Sequence, residues 1–159
     1  MNNDDIQIYD NVFAYNFMSK IYREVISADY NIGWADTKII ENQGKVFMFS
    51  LWQLPDFIKF GFLDNIKNQK LLEKINKRFP SRCVINCGTF GDVYHPHVHN
   101  EKEVLLYYVN LDWKIEWNGE TAFYSDDLKN IILTNPYVPG RVVWFDGEVP
   151  HSIKPQTHL

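Results

Sequence analysis

A chain of 159 residues with 45% apolar side chains is long enough to bury a substantial core and too apolar to stay disordered. Its formal charge of −4 offers no global electrostatic reason to expect nucleic acid or an anionic membrane as partner. The polar, acidic start Met1-Asn2-Asn3-Asp4-Asp5 does not read as a signal peptide, and the apolar run from Val46 to Trp52 is far too short to cross a bilayer.

In chain order, Asp10-Asn11 reads as a helix start, followed by Phe13, Phe17, Ile21, Tyr22 and Val25 at three- and four-residue steps. A second amphipathic helix is predicted from Asp64 to Arg78, with Ile66, Leu71, Leu72 and Ile75 as its apolar stripe and Pro80 as its stop. From Ser81 the pattern changes to short β-type runs: Cys83–Cys87, Val93–His99, Val104–Val109, Thr121–Tyr124, Ile131–Leu133, Arg141–Phe145 and Pro150–Ile153. Gly88, Gly91, Asn118-Gly119, Asn135-Pro136, Pro139-Gly140 and Asp146-Gly147 break them. Many short strands with regular turns predict a mainly β chain of the α+β kind, built on an antiparallel sandwich or small barrel. No repeat or linker divides the chain. It is therefore read as one domain, residues 1–80 forming a helical support layer with the first strands and 81–159 the β core.

Cys83 and Cys87 are the only cysteines. Four residues apart on a strand, they lie beyond disulfide reach, so core packing in a reduced, cytoplasmic setting is the expected role.

All five histidines follow residue 94, and three form Tyr94-His95-Pro96-His97-Val98-His99. Residues two apart on an extended strand share a face, so these imidazoles can converge on a metal such as Fe, Zn, Cu or Ni. His151 can supply a ligand from a later strand. His97, His99 and His151 are the candidate set, with His95 as the alternative to His99, and His158 reads as a surface residue.

With these residues in view, five stretches in order resemble the 2-oxoglutarate- and Fe(II)-dependent oxygenases. The likeness is to the prolyl 4-hydroxylase-like branch and its small microbial and phage-type members. The stretches are Gly91-Asp92 leading to His97-Val98-His99; Leu105 to Trp113; Trp117-Asn118-Gly119-Glu120-Thr121-Ala122-Phe123; Pro139-Gly140-Arg141 to Gly147; and Pro150-His151. The resemblance, spanning Val84 to Pro155, implies a double-stranded β-helix (jelly-roll) core with supporting N-terminal helices. It implies Fe(II) as metal, 2-oxoglutarate as co-substrate, dioxygen, and ascorbate as a further candidate. The implied reaction hydroxylates a prolyl residue, another peptide side chain or a small molecule, releasing succinate and CO2.

Tyr108, with Thr121, is implied as a partner for the far carboxylate of 2-oxoglutarate, although a core aromatic and a packing Thr are the plain readings. Arg141 reads as a surface turn residue. The departures are His99 where the family carries a carboxylate, Phe90 where relatives often carry Tyr, Asn118 for a Gly, and no Arg or Lys eight to ten residues beyond His151. Lys154, the only basic residue after His151, is the third cofactor-binding candidate beside Tyr108 and Thr121, although its odd offset would turn it to the opposite face of a regular strand. Either a final strand is missing or the co-substrate site is built differently. A non-catalytic metal-binding jelly-roll module, and a three-His iron dioxygenase that does not use 2-oxoglutarate, are the alternative readings.

Overall fold

The computed structural model describes residues 5–32, 48–76, 78–90, 92 and 94–157. The expectations for Gly91, Val93 and His158 lie outside the described residues. The protein is mostly β, with few helices and antiparallel sheets. Its elements in chain order are β1 (Ile6–Tyr9), α1 (Tyr15–Ile26), β2 (Asn31–Ile32), β3 (Met48–Trp52), α2 (Leu54–Phe60), α3 (Gln69–Ile75), β4 (Cys83–Cys87), β5 (Glu103–Tyr107), β6 (Thr121–Tyr124), β7 (Ile131–Asn135), β8 (Val142–Asp146) and β9 (His151–Ile153). Among the described residues the strands form three three-stranded sheets, ordered β1-β8-β5, β2-β3-β4 and β7-β6-β9.

Strand β8 organises the packing. Its Val-Val-Trp-Phe run is β-branched and aromatic, suited to a strand covered on both faces. Leu105 pairs with Trp144 and Tyr107 with Val142, so these four share one face. They meet the helical layer, where Phe13, Phe17, Ile21, Phe57, Phe62, Leu71 and Ile75 are buried. The other face carries Leu106 and Val143 on one row and Val104 and Phe145 on the next. These meet Phe123 and Leu133 of the β7-β6-β9 sheet. Two sheets thus face each other across an inner layer, and the helices back one of them.

Helix α1 starts at Tyr15, later than the Asp10-Asn11 signal suggested. Asn11 has φ +56° and turns the chain, while the Asp10 carboxylate is held by Arg141 at 2.7 Å. The second predicted helix is also shorter. A 3₁₀ turn at Leu63–Asn65 ends at Ile66, whose extended ψ breaks the run. The helix restarts as α3, with the Asn68 side chain accepting the Leu71 N–H at 3.2 Å as its cap. Helix α2 was not anticipated, although Pro55 at its first turn and Gly61 (φ +79°) at its end are helix start and stop signals.

Tyr107 packs edge-on against Phe13 and Phe62, with ring centroids 5.3 and 5.6 Å away. Its buried hydroxyl has no hydrogen-bond partner among the described residues. An unsatisfied buried hydroxyl is destabilising relative to an apolar group of the same shape. Tyr107→Phe is therefore expected to raise stability by about 1 kcal/mol, read as a higher midpoint in urea unfolding with an unchanged slope.

Candidate metal centre

The site is assembled by the backbone before any ring is considered. Asp146-Gly147 ends β8 in a turn closed by the Val149 N–H on the Asp146 carbonyl at 3.0 Å. The chain then runs back as β9 beside β6, pairing His151 with Phe123, Ser152 with Ala122 and Ile153 with Thr121. Against this frame the 94–101 segment is pinned at several points. His97 and His151 exchange N–H···O bonds, both 3.0 Å, and the His99 N–H donates to the Gly147 carbonyl at 2.8 Å. The Gly147 N–H in turn donates to the Lys102 carbonyl at 3.0 Å. The fit here excludes any side chain at 147, because a Cβ there would lie 1.8 Å from the Glu101 carbonyl oxygen.

The predicted strand at Val93–His99 does not form as a strand among its described residues. Only His97 makes a ladder-type bridge, and Pro96 has no N–H to extend it. His97 and His99 nevertheless converge, because the extended segment is held at both residues. Their rings and that of His151 offer nitrogens that all lie within 4.8 Å of one another. His95 is not part of this cluster; its backbone carbonyl instead receives His97 Nδ1 at 3.1 Å.

Hydrogen bonding sets which ring nitrogen carries the proton. A carbonyl can only accept, so His97 carries its proton on Nδ1, facing the His95 carbonyl, when the ring is neutral. His151 does the same toward the Val149 carbonyl at 2.9 Å. In that tautomer Nε2 is the unprotonated nitrogen of each ring. His99 Nε2 lies 3.2 Å from His151 Nε2. That is the spacing of two nitrogens at about 2.1 Å from one ion with roughly 100° between them, so the set fits a divalent metal. His99 Nδ1 faces the Arg82 guanidinium at 3.3 Å, and Arg82 also pairs with Glu101 at 2.8 Å. A guanidinium can only donate, so binding of a metal at His99 Nε2 requires Arg82 to turn toward Glu101. Sequence reasoning missed Arg82, because a single Arg ahead of β4 carries no pattern.

His151 is buried against Phe145 and Phe123, with ring centroids 4.6 and 6.0 Å away. Burial, then the neighbouring His97, pushes its pKa from 6.5 down to about 3. It stays neutral and able to ligate throughout the physiological range. In the unfolded chain the same group takes up a proton near 6.5 while the folded protein refuses it. The folded state therefore loses stability as pH falls from about 6.5 toward about 3. Urea unfolding of the metal-free protein across that window is expected to show this decline, and His151→Gln is expected to flatten it.

A second polar group lies one strand repeat away on the same inner face. Thr121, two residues from Phe123 on β6, pairs with Asn135 on β7. The Tyr108 and Thr121 hydroxyls are 2.7 Å apart, and Asn135 Nδ2 donates to the Tyr108 hydroxyl at 2.8 Å. Tyr108, Thr121 and Asn135 are all buried. Arg141 corrects the surface reading. It continues the Tyr107–Val142 register opposite Tyr108, and its Nη1 donates to Asn135 Oδ1 at 3.1 Å. The structure thus joins Tyr108 and Thr121, and adds Asn135 and Arg141. It leaves Lys154 apart: its Nζ donates to the Tyr124 hydroxyl at 2.9 Å, on the face that Ser152 and Ala122 share, away from His151.

No family model matches the chain, and no curated protein matches it. Its structural neighbours are prolyl hydroxylases. One, from Trichoplax adhaerens, was solved in complex with a peptide fragment of the hypoxia inducible factor oxygen degradation domain. It superposes with a TM-score of 0.71 at 15% identity, over 99% of this chain and 80% of that one. A Pseudomonas putida prolyl-4-hydroxylase superposes with a TM-score of 0.57 at 15% identity, over 97% of this chain and 86% of that one. Identity this low establishes a shared fold. No described helix is long and apolar enough to cross a membrane.

Proposed function

We propose that this chain is a 2-oxoglutarate- and Fe(II)-dependent dioxygenase built as one double-stranded β-helix domain, with His97, His99 and His151 as its metal ligands. The observation that carries the reading is the convergence of three imidazoles, two of them held by backbone carbonyls in the tautomer that leaves Nε2 unprotonated. Iron in such a site would supply dioxygen activation, coupled to conversion of 2-oxoglutarate to succinate and CO2 and to hydroxylation of a substrate carbon.

The chain's own residues bind and orient. His151 anchors the site from the buried side, while half-buried His97 and His99 border the more open one. Phe123 and Phe145 keep water from the His151 side. Tyr108 and Thr121 offer hydroxyls to the far carboxylate of the co-substrate. The peptide held by the Trichoplax adhaerens neighbour supports a peptide side chain as substrate class.

Three neutral imidazoles leave an Fe(II) unit at +2, where two imidazoles and a carboxylate leave +1. The extra charge favours a dianionic co-substrate and also keeps the three-His reading without 2-oxoglutarate in play. Anaerobic addition of Fe(II) and then 2-oxoglutarate separates the two. A visible charge-transfer band on adding the keto acid, followed by succinate on admitting oxygen, is the expected result. Iron binding with neither band nor succinate would overturn the 2-oxoglutarate reading. Oxygen uptake with another small substrate would then favour a three-His dioxygenase, and its absence a binding module.

A further inference from the structure

The neighbours of the three imidazoles settle where the protons sit. The Val149 carbonyl can only accept, so His151 bears its proton on Nδ1 and presents an unprotonated Nε2. The Arg82 guanidinium can only donate, and its Nη2 lies 3.3 Å from His99 Nδ1. A neutral His99 beside it therefore carries its proton on Nε2, which donates to His151 Nε2 at 3.2 Å. Arg82 thus selects the His99 tautomer that cannot ligate through Nε2. The gap that suits two ligands of one ion is here bridged by a hydrogen.

Arg82 also has a second acceptor. Its Nε donates to Glu101 Oε1 at 2.8 Å and its Nη2 to Oε2 at 3.2 Å, a two-point fork. Nη2 is therefore shared between His99 Nδ1 and Glu101 Oε2. Gly147 fixes the backbone of both residues. Its carbonyl accepts the His99 N–H, and its bare Cα is packed against the Glu101 carbonyl. The Arg82 and Glu101 side chains are partly buried, so salt and water screen them weakly.

We propose that Glu101 is the positioning residue of His99 when the centre is loaded, with Arg82 as the competitor that selects the opposite tautomer. On loading, His99 exchanges its proton from Nε2 to Nδ1 through solvent. Arg82 withdraws Nη2 while its Nε keeps Oε1, and Oε2 accepts the Nδ1–H. One proton changes place on one ring, and none is gained or lost. A dication at Nε2 repels the guanidinium and attracts the carboxylate, so loading itself drives the exchange. An imidazole that donates its other N–H to a carboxylate is a more basic ligand with a fixed orientation. The inference rests on the reading of His99 as the third ligand. It places a negative charge one layer behind the position where the resembled family carries its carboxylate.

The test is proton–nitrogen correlation NMR of protein carrying isotope-labelled histidine, in mildly alkaline buffer, with and without Zn(II). The His99 signals are identified by their loss in His99→Gln. The expected proton position is Nε2 before Zn(II) is added and Nδ1 afterwards. Chelator competition then reads Zn(II) affinity in folded variants. Glu101→Ala is expected to weaken Zn(II) about 10- to 100-fold. Glu101→Gln keeps an acceptor oxygen, is expected to lose less, and serves if the Ala variant does not fold. Arg82→Met removes the competitor and is expected to tighten Zn(II) about fivefold. An ion pair that merely braces the fold would weaken Zn(II) in both variants, so changes of the same sign would overturn the proposal. So would a His99 protonated on Nδ1 from the start, or one that binds Zn(II) without a proton there; in either case the three-His centre still stands. Zn(II) that binds without moving the His99 signals removes His99 from the centre, and a protein that binds no Zn(II) loses the functional reading as well.

Discussion

His151→Ala is expected to lower the affinity for Fe(II), or for Ni(II) as a redox-silent substitute, by more than about a hundredfold. Three features converge on this residue. Its ring is the buried one of the three-His cluster, its Nδ1 is held by the Val149 carbonyl, and its backbone exchanges both hydrogen bonds with His97. The variant keeps those backbone bonds, so the loss reports the imidazole itself. His97→Ala is expected to behave similarly. His99→Asp supplies the carboxylate usual at this position in the resembled family, with Arg82 within reach to pair with it, and is expected to retain the metal. Competition with a chromogenic chelator measures all three. Metal affinity unchanged in His151→Ala would remove the centre as drawn.

Gly147→Ala is expected to cost about 3 kcal/mol or more and to displace His99. The added Cβ would sit 1.8 Å from the Glu101 carbonyl oxygen, and backbone on both sides must give way. On one side is the Gly147–Lys102 hydrogen bond, on the other the His99–Gly147 bond. One methyl group is thus predicted to lower both the unfolding midpoint and the metal affinity. Chemical unfolding and chelator competition on the same preparation check the pair. A variant that loses stability but keeps its metal would show that His99 is not held through this turn.

Legibility in the sequence followed the range of the forces involved. Helix α1, with Phe17 and Ile21 buried one turn apart, and strands such as β6 and β8 could be read because periodicity and β-propensity are local properties of the chain. The histidine pair at 97 and 99 was legible for the same reason, since alternate residues of an extended segment share a face. Arg141 and Asn135 were not. Arg141 follows Pro139-Gly140, so local composition marked it as a turn residue. Its partners Asp10 and Asn135 are supplied by distant or differently read parts of the chain.

By itself, the amino-acid sequence determined a mainly β protein backed by amphipathic helices, with histidines clustered late in the chain and motifs whose order resembles that of one oxygenase branch. Only the tertiary structure decided which histidine joins 97 and 151, which way Lys154 faces, and that the partly exposed Arg141 reaches inward to Asn135. The reason is that periodicity assigns a residue to a face, whereas strand register and turns such as the one at Gly147 decide what that face meets. Antiparallel pairing of β9 with β6 and of β8 with β5 puts His151 beside Phe123 and Arg141 beside Tyr108. A one-residue slip in either pairing would send the same side chains to the opposite face.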